Sequence, residues 1–138
     1  MDDETIKKRA EEFARAERQR IAQELTDTSV YISDVIPTSV FIAGSPGAGK
    51  TEYSRNLIKI LEEKMNHRVI RIDADEIRHH LPGYTGANSF LFQTAVSLVV
   101  ERIHDMVLAR KQTFLLDGTF SKYDKAVANI KRSLGKGR

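Results

Sequence analysis

The residues most suited to chemistry form a glycine-rich run, Gly44–Thr51, directly after four apolar residues, Val40–Ala43. The run matches the pattern G-x-x-x-x-G-K-[ST] in full. In this pattern the glycines let backbone N–H groups point inward and bind phosphate at the start of a helix. Lys50 can then reach the outer phosphates, and the Thr51 hydroxyl can hold Mg²⁺. A strand before and a helix after favour a nucleotide-binding loop over a chance turn. The loop residues are Gly44, Ser45, Pro46, Gly47, Ala48, Gly49, Lys50 and Thr51.

Phosphoryl transfer also needs a group that orients and deprotonates the attacking hydroxyl. Asp75 is our candidate for this catalytic base, because it follows the second predicted strand at the sheet edge where ligands bind. The structural alternative is that Asp75 caps a short helix over 75–80. Asp73 either contacts metal-bound water or only ends the strand.

Two more carboxylates are candidates for the site. Asp117 ends an apolar strand, in the manner of an acidic residue that helps to hold Mg²⁺ through water. Glu101 lies between apolar neighbours in a predicted helix, where a buried carboxylate costs free energy unless it is paired. Its partner is either an arginine, Arg78 or Arg102, or the hydroxyl of a substrate.

The histidines and the basic tail carry weaker signals. His79 and His80 are predicted to be a solvated pair, because no further metal ligands occur at matching spacing. The closing basic residues are predicted to face solvent rather than nucleic acid. They are Lys131, Arg132, Lys136 and Arg138.

Apolar spacing predicts the elements that position these residues. A strand, a helix and a second strand around the glycine-rich run make a right-handed βαβ unit with parallel strands. Asn88 or Ser89 should cap the long helix. Its apolar face should include Phe92, Ala95, Val96, Val99, Ile103, Met106 and Val107. The helix after the run should turn five apolar residues inward: Tyr53, Leu57, Ile58, Ile60 and Leu61. The predicted helices cover about 3–25, 50–65, 75–80, 89–110 and 122–134, and the predicted strands cover 40–43, 69–73 and 113–117.

Composition limits the class of protein. The 138 residues are about one domain's worth, which we divide into an N-terminal helical segment, 1–36, and a core, 37–138. The net charge of +3 is too small to argue for nucleic acid. An absence of cysteine suits a reducing compartment, and the acidic start and short apolar runs argue against secretion and membrane insertion. We therefore expect a cytoplasmic protein with no membrane contact.

Several of these features together resemble the zeta toxin family of P-loop kinases. The resemblance covers about Val40–Ser121. The stretch Leu81–Tyr84 resembles the family's His-Pro-x-aromatic sequence, with leucine in place of histidine. The family commonly has glutamate where this chain has Asp117. The other residues that carry the resemblance are the loop 44–51, the strand end Ile72–Asp75, Arg78, Glu101 and the run Asp117–Thr119.

The resemblance implies an α/β fold in which helices flank a P-loop NTPase-type parallel sheet, with strands ordered 69–73, 113–117, 40–43. It implies an ATP- and Mg²⁺-dependent kinase that phosphorylates the 3′-hydroxyl of UDP-N-acetylglucosamine. Asp75 would be the base and Lys50 the phosphate-binding lysine, with Thr51 and Asp117 on the magnesium side. By consuming a cell-wall precursor such a kinase is a bacterial toxin, held by an antitoxin protein. Substrate contacts would come from Arg78, Glu101, Asp117 and Thr119.

In the family, further strands and an arginine-bearing lid would follow Arg138, and the loop-bearing strand would lie at a sheet edge. We therefore expect an N-terminal portion of a longer kinase, or a chain that completes its sheet by self-association, weakly active or inactive alone. Two other functions stay open. One is an ATP-binding regulatory module, and the other is a P-loop kinase for a different acceptor, such as a polynucleotide end or an antibiotic.

Overall fold

The computed structural model of the chain describes residues 2–42, 50–117, 130–131 and 133–138, and leaves the side chains of Lys50 and Thr51 outside the description. In chain order its elements are α1 (Asp3–Leu25), β1 (Ser39–Ile42), α2 (Lys50–Met65), β2 (Ile70–Asp73), α3 (Ala74–Arg78), a 3₁₀ turn (Ser89–Leu91), α4 (Gln93–Ala109) and β3 (Phe114–Asp117). Residues 130–131 and 133–135 are also helical. The predicted α/β class is confirmed.

The three strands form one parallel sheet in the order β1-β3-β2, as predicted. Ser39 lies opposite Phe114, and Ile42 lies opposite Asp117. Phe114 and Leu115 are fully buried and Leu116 is 5% exposed, which is the continuous apolar run of a parallel strand covered on both faces. The middle strand therefore forms the centre of the core in this part of the molecule.

Helix α2 begins where predicted, but the inward-facing set was partly wrong. Tyr53 is 62% exposed and Ile60 is 58% exposed, whereas Ser54 is fully buried. Leu57, Ile58 and Leu61 are half-buried. Positions 54, 58 and 61 lie three or four residues apart and so share the side of the helix that packs inward. Tyr53, Leu57 and Ile60 lie on the adjacent side, which is exposed at Tyr53 and Ile60. A pattern of apolar letters does not identify a small polar residue at the centre of the packed face.

The chain forms two compact units, Met1–Thr26 with Asp73–Met106, and Asp27–Ile72 with Val107–Arg138. In the first unit α1 is capped by Asp2, whose side chain accepts a hydrogen bond from the Thr5 N–H at 2.8 Å. Its buried residues are Ala10, Ala14, Ile21 and Ala22. Gly83, with φ of +87°, lies so close to Ile6 that an added Cβ would come within 3.2 Å of its Cγ2. The boundary predicted after residue 36 stays a prediction.

One correction concerns the segment before α4. The 3₁₀ turn separates Asn88 and Ser89 from α4, so neither residue caps the long helix. Asn88 instead accepts from the Thr85 N–H at 3.0 Å and donates to the Gly83 carbonyl at 3.1 Å, which closes the preceding turn. The apolar face predicted for the long helix is buried throughout: Phe92, Ala95, Val96, Val99, Ile103, Met106 and Val107.

In the second unit a half-buried histidine joins the connector before β1 to the turn before β2. His67 donates from Nε2 to Asp34 Oδ1 at 2.5 Å and from Nδ1 to the Arg68 carbonyl at 2.8 Å. Carbonyl and carboxylate oxygens only accept, so both bonds require an imidazolium. The second oxygen of Asp34 accepts from the Thr113 hydroxyl. The Arg68 carbonyl, followed by the Asp34 carboxylate, raises the pKa of His67 against the opposing effect of burial.

Replacing His67 by Gln should remove a pH-dependent part of the free energy of unfolding. Because the pKa is raised in the folded state, the contribution is complete below the unfolded pKa of about 6.5 and is lost as pH rises through the folded-state pKa. Urea unfolding at several pH values should show wild-type stability falling by about 1 kcal/mol across that window. His67→Gln should lack that fall, and Asp34→Asn should show a smaller one. Parallel profiles for wild type and His67→Gln would contradict the paired imidazolium.

Candidate functional site

The glycine-rich run has the structural setting that its motif requires. Strand β1 ends at Ile42 and helix α2 begins at Lys50. Residues 43–49, which include the predicted phosphate-binding residues Gly44 to Gly49, lie outside the described residues, as do the side chains of Lys50 and Thr51. A strand before the run and a 16-residue helix after it are confirmed. The N-terminus of α2 therefore follows the run, and its unpaired N–H groups and dipole favour an anion there.

Asp117 lies at the carboxyl end of β3, opposite Ile42 in the ladder. It is 2% exposed, and its Oδ2 accepts a hydrogen bond from Nη2 of Arg71 at 2.7 Å. The Nε of Arg71 donates to the hydroxyl of Ser54 at 2.6 Å. The structure thus brings the predicted Asp117 to the level of the strand that leads into the loop, and it pairs this carboxylate with an arginine.

Sequence reasoning missed both Arg71 and Ser54. The alternation Ile70-Arg71-Ile72-Asp73 was the available signal, because it puts the two charged residues on the face opposite the two buried isoleucines. That alternation does not reveal which groups Arg71 meets, since its carboxylate partner lies 46 residues away in the chain. Ser54 gave no signal, because a serine in a helix is most often exposed.

In the first unit the two aspartates at and just after the end of β2 have different roles. Asp73 caps α3, since its Oδ1 accepts a hydrogen bond from the Asp75 N–H at 3.0 Å. The capping role that we considered for Asp75 therefore belongs to Asp73. The Asp75 side chain is 70% exposed and accepts from Nη1 of Arg78 at 2.7 Å. Asp75 is thus a solvent-accessible carboxylate held by an arginine one turn later on a short helix.

Arg78 is more enclosed than its partner. Its side chain is 23% exposed, and its Nε is buried with no hydrogen-bond partner in the part of the chain that the structure describes. An enclosed guanidinium holds its geometry better than a solvated one, because fewer rotamers are available to it. Arg78 therefore restricts where the carboxylate of Asp75 can point.

Glu101 is exposed, so the expectation of a buried carboxylate was wrong. Two residues after Val99 the helix has turned about 200°, which carries position 101 to the side opposite the buried stripe. Neither arginine considered as its partner pairs with it: Arg78 pairs with Asp75, and Nε of Arg102 donates to Gln19 in α1. Its contact with a substrate stays a prediction.

The basic tail departs from the prediction at one residue. Lys131 and Lys136 are exposed, but Arg138 donates to the Gln112 carbonyl at 2.6 Å and to the Val107 carbonyl at 3.0 Å. Its guanidinium also lies 5.5 Å from the ring centre of Phe114, and burial lowers the pKa of Arg138. Arg138 thus packs against the end of α4. Thr119 and Arg132 lie outside the described residues.

Two negative findings apply to residues 2–42, 50–117, 130–131 and 133–138. Among them no three His, Cys, Asp or Glu side chains converge as metal ligands, and His79 instead makes an edge-on contact with Tyr84. None of their helices combines the length and the apolar character that crossing a bilayer would require.

Comparisons with known proteins agree with the fold. The family model described as Zeta toxin matches residues 21–138. A solved structure from the PezAT chromosomal toxin–antitoxin system of Streptococcus pneumoniae superposes with a TM-score of 0.70 at 23% sequence identity. The match covers 90% of this chain and 52% of the solved chain, so this chain spans about half of that protein's length. Comparison with curated proteins finds no match.

If Asp73 acts as a helix cap, Asp73→Ala should destabilise the chain, whereas Asp73→Asn should not. Asparagine keeps the accepting oxygen, and loss of a capping side chain costs about 0.5–2 kcal/mol. Urea unfolding followed by circular dichroism measures both variants. Equal losses for Asn and Ala would show that the charge of Asp73, and not its capping bond, is what matters.

Proposed function

Because the chain belongs to the zeta toxin family of P-loop kinases, we propose that it forms part of an enzyme that transfers the γ-phosphoryl group of ATP to an alcohol. The acceptor we propose is the 3′-hydroxyl of UDP-N-acetylglucosamine. The observation that carries the proposal is the complete phosphate-loop motif in its strand–loop–helix setting. The cytoplasm, which contains ATP and sugar nucleotides, is where we place the reaction.

At the phosphate end, the loop 44–49 and the start of α2 would bind the β- and γ-phosphates, and Lys50 would neutralise their charge. Mg²⁺ fits these residue types, because it needs few protein ligands when phosphate oxygens and water complete its shell. Thr51 would supply a hydroxyl ligand. Asp117, whose side chain is 1% exposed and bonded to Arg71, would act through water. When bound, Mg²⁺ supplies positive charge that stabilises the transferring phosphoryl group.

At the acceptor end, Asp75 would accept the proton of the attacking hydroxyl. Its 70% exposed side chain is open to a substrate arriving from solvent. The bond from Arg78 fixes one carboxylate oxygen, and the other would accept the proton of the hydroxyl. Glu101, which is exposed, and Thr119 would bind the sugar nucleotide.

Consumption of a cell-wall precursor would make the complete protein toxic to its host. The solved neighbour comes from a toxin–antitoxin system, and we propose that a protein antitoxin likewise holds the protein of this chain. The identity of the acceptor and the presence of an antitoxin are separate proposals, and either can fail alone.

Lys50→Ala should weaken binding of a fluorescent ATP analogue with Mg²⁺ by roughly 10- to 100-fold, because a charge-assisted contact to phosphate is lost. Lys59→Ala is the matched control, since it removes an exposed lysine from the same helix. Binding that is equal in the two variants would refute the assignment of the phosphate loop.

Asp75→Asn should lower phosphoryl transfer by roughly 10²- to 10⁴-fold while nucleotide affinity is unchanged, because only proton abstraction is lost. The assay offers labelled ATP with UDP-N-acetylglucosamine or a 5′-hydroxyl oligonucleotide, under single-turnover conditions suited to slow transfer. Glu76→Gln, an exposed carboxylate on the same short helix, serves as the control. Transfer that survives Asp75→Asn would rule out this base, and label on the oligonucleotide alone would rule out the sugar-nucleotide acceptor.

A further inference from the structure

The guanidinium of Arg71 joins three elements of the second unit. It lies on β2, its Nη2 bonds Asp117 at the end of β3, and its Nε bonds Ser54 in α2. The Arg71 and Asp117 side chains are 11% and 1% exposed, and Ser54 is fully buried. We infer that Arg71 is a positioning residue of the nucleotide site, an inference that rests on the proposed function.

The two anchors of Arg71 stand at the two ends of the loop. Asp117 lies opposite Ile42, the residue after which the chain enters the loop. Ser54 lies one helical turn after Lys50, the residue at which α2 begins. Seven residues, 43–49, connect these two ends. One side chain therefore bridges both supports of the loop.

Fixed ends matter because a phosphate loop binds its ligand through convergent backbone N–H groups. Such groups stabilise charge only when their directions are set before the ligand arrives, and the residues behind them set those directions. A shift of α2 along the sheet would move Lys50 and the first N–H groups together. By bonding Ser54, Arg71 opposes that shift.

Stability alone does not explain this arrangement. A buried ion pair contributes little net folding free energy, because the cost of removing both charges from water offsets their attraction. An arginine fixes the relative positions of its partners, because the N–H groups of the planar guanidinium can bond two acceptors in set directions. Here the fork reaches a carboxylate from one nitrogen and a hydroxyl from another.

Asp117 has two candidate roles, which are to anchor Arg71 and to contact magnesium-bound water. If Asp117 acts as the anchor of Arg71, loss of Ser54 and alteration of Arg71 should affect ATP in the same way. If Asp117 acts mainly on magnesium-bound water, Asp117→Asn should weaken Mg²⁺ dependence while Ser54→Ala has no effect. The pair Ser54 and Arg71 therefore tests the anchor without touching a proposed ligand of ATP or Mg²⁺.

The experiment titrates the 138-residue chain with a fluorescent ATP analogue and Mg²⁺, with folding of each variant checked by circular dichroism. Arg71→Lys keeps the charge but not the fork, and Ser54→Ala removes the hydroxyl acceptor with little change in size. Each should weaken nucleotide affinity roughly three- to tenfold, and the double variant should be no weaker than the weaker single one, as for residues in one network. Arg68→Lys is the control, because Arg68 is 65% exposed and pairs with Glu62.

The outcomes separate the two proposals. If wild type binds no nucleotide, the proposed function fails and this inference falls with it. If wild type binds and Lys50→Ala does not, but Arg71→Lys and Ser54→Ala bind as wild type does, only the inference on Arg71 is overturned. Unaltered affinity together with a lower unfolding midpoint would assign Arg71 a purely structural role. Additive losses in the double variant would show that the two residues act separately.

Discussion

The parallel register of β3 against β1 is the constraint on which the nucleotide side of this molecule depends. It places Asp117 level with Ile42, so the end of the central strand and the entrance to the phosphate loop lie at the same height. The register is held by the fully buried Phe114 and Leu115, each worth about 1.5–3 kcal/mol of apolar burial. An edge-on contact between Phe41 and Phe114, with centroids 5.9 Å apart, locks the same pair of strands. A slip of one residue would exchange the faces on which Phe114 and Leu115 lie and so change the residues against which each packs.

Local structure assigns different roles to residues of the same type. Asp73 and Asp75 are two residues apart. The carboxylate of Asp73 accepts a hydrogen bond from a backbone N–H at the start of α3, whereas the carboxylate of Asp75 projects into solvent. Arginines divide in a similar way. Arg71 and Arg78 are enclosed and bond carboxylates, whereas Arg68 lies at the surface. The role of each of these residues therefore depends on where it lies in its helix or strand and on how far it is buried.

Much of the fold could be predicted from the sequence because it depends on local patterns. The bounds of α1 and α2 and the buried face of α4 came from apolar spacing and from a motif with a known setting, whereas the strand order came from the family resemblance. The failures at Glu101 and Tyr53 have one cause: spacing shows that a stripe exists, but packing decides where its centre lies. The pairing of Arg71 with Asp117, and the contacts of Arg138, join residues distant in sequence. The pattern of residues along one sequence does not show which distant residues pair. The assignments at Lys50, Asp75 and Glu101 stay predictions.

The first unit is built from two segments that are far apart in the sequence, and this limits when it can fold during synthesis. Helix α1 belongs with residues 73–106, and Gln19 of α1 bonds Arg102 of α4. A ribosome adding about 5–20 residues per second needs several seconds to synthesise the stretch that separates these two helices. During that interval the stripe of Ala10, Ala14 and Ile21 emerges with nothing of its own to cover it. The first unit therefore cannot complete its core until residues 73–106 have been synthesised.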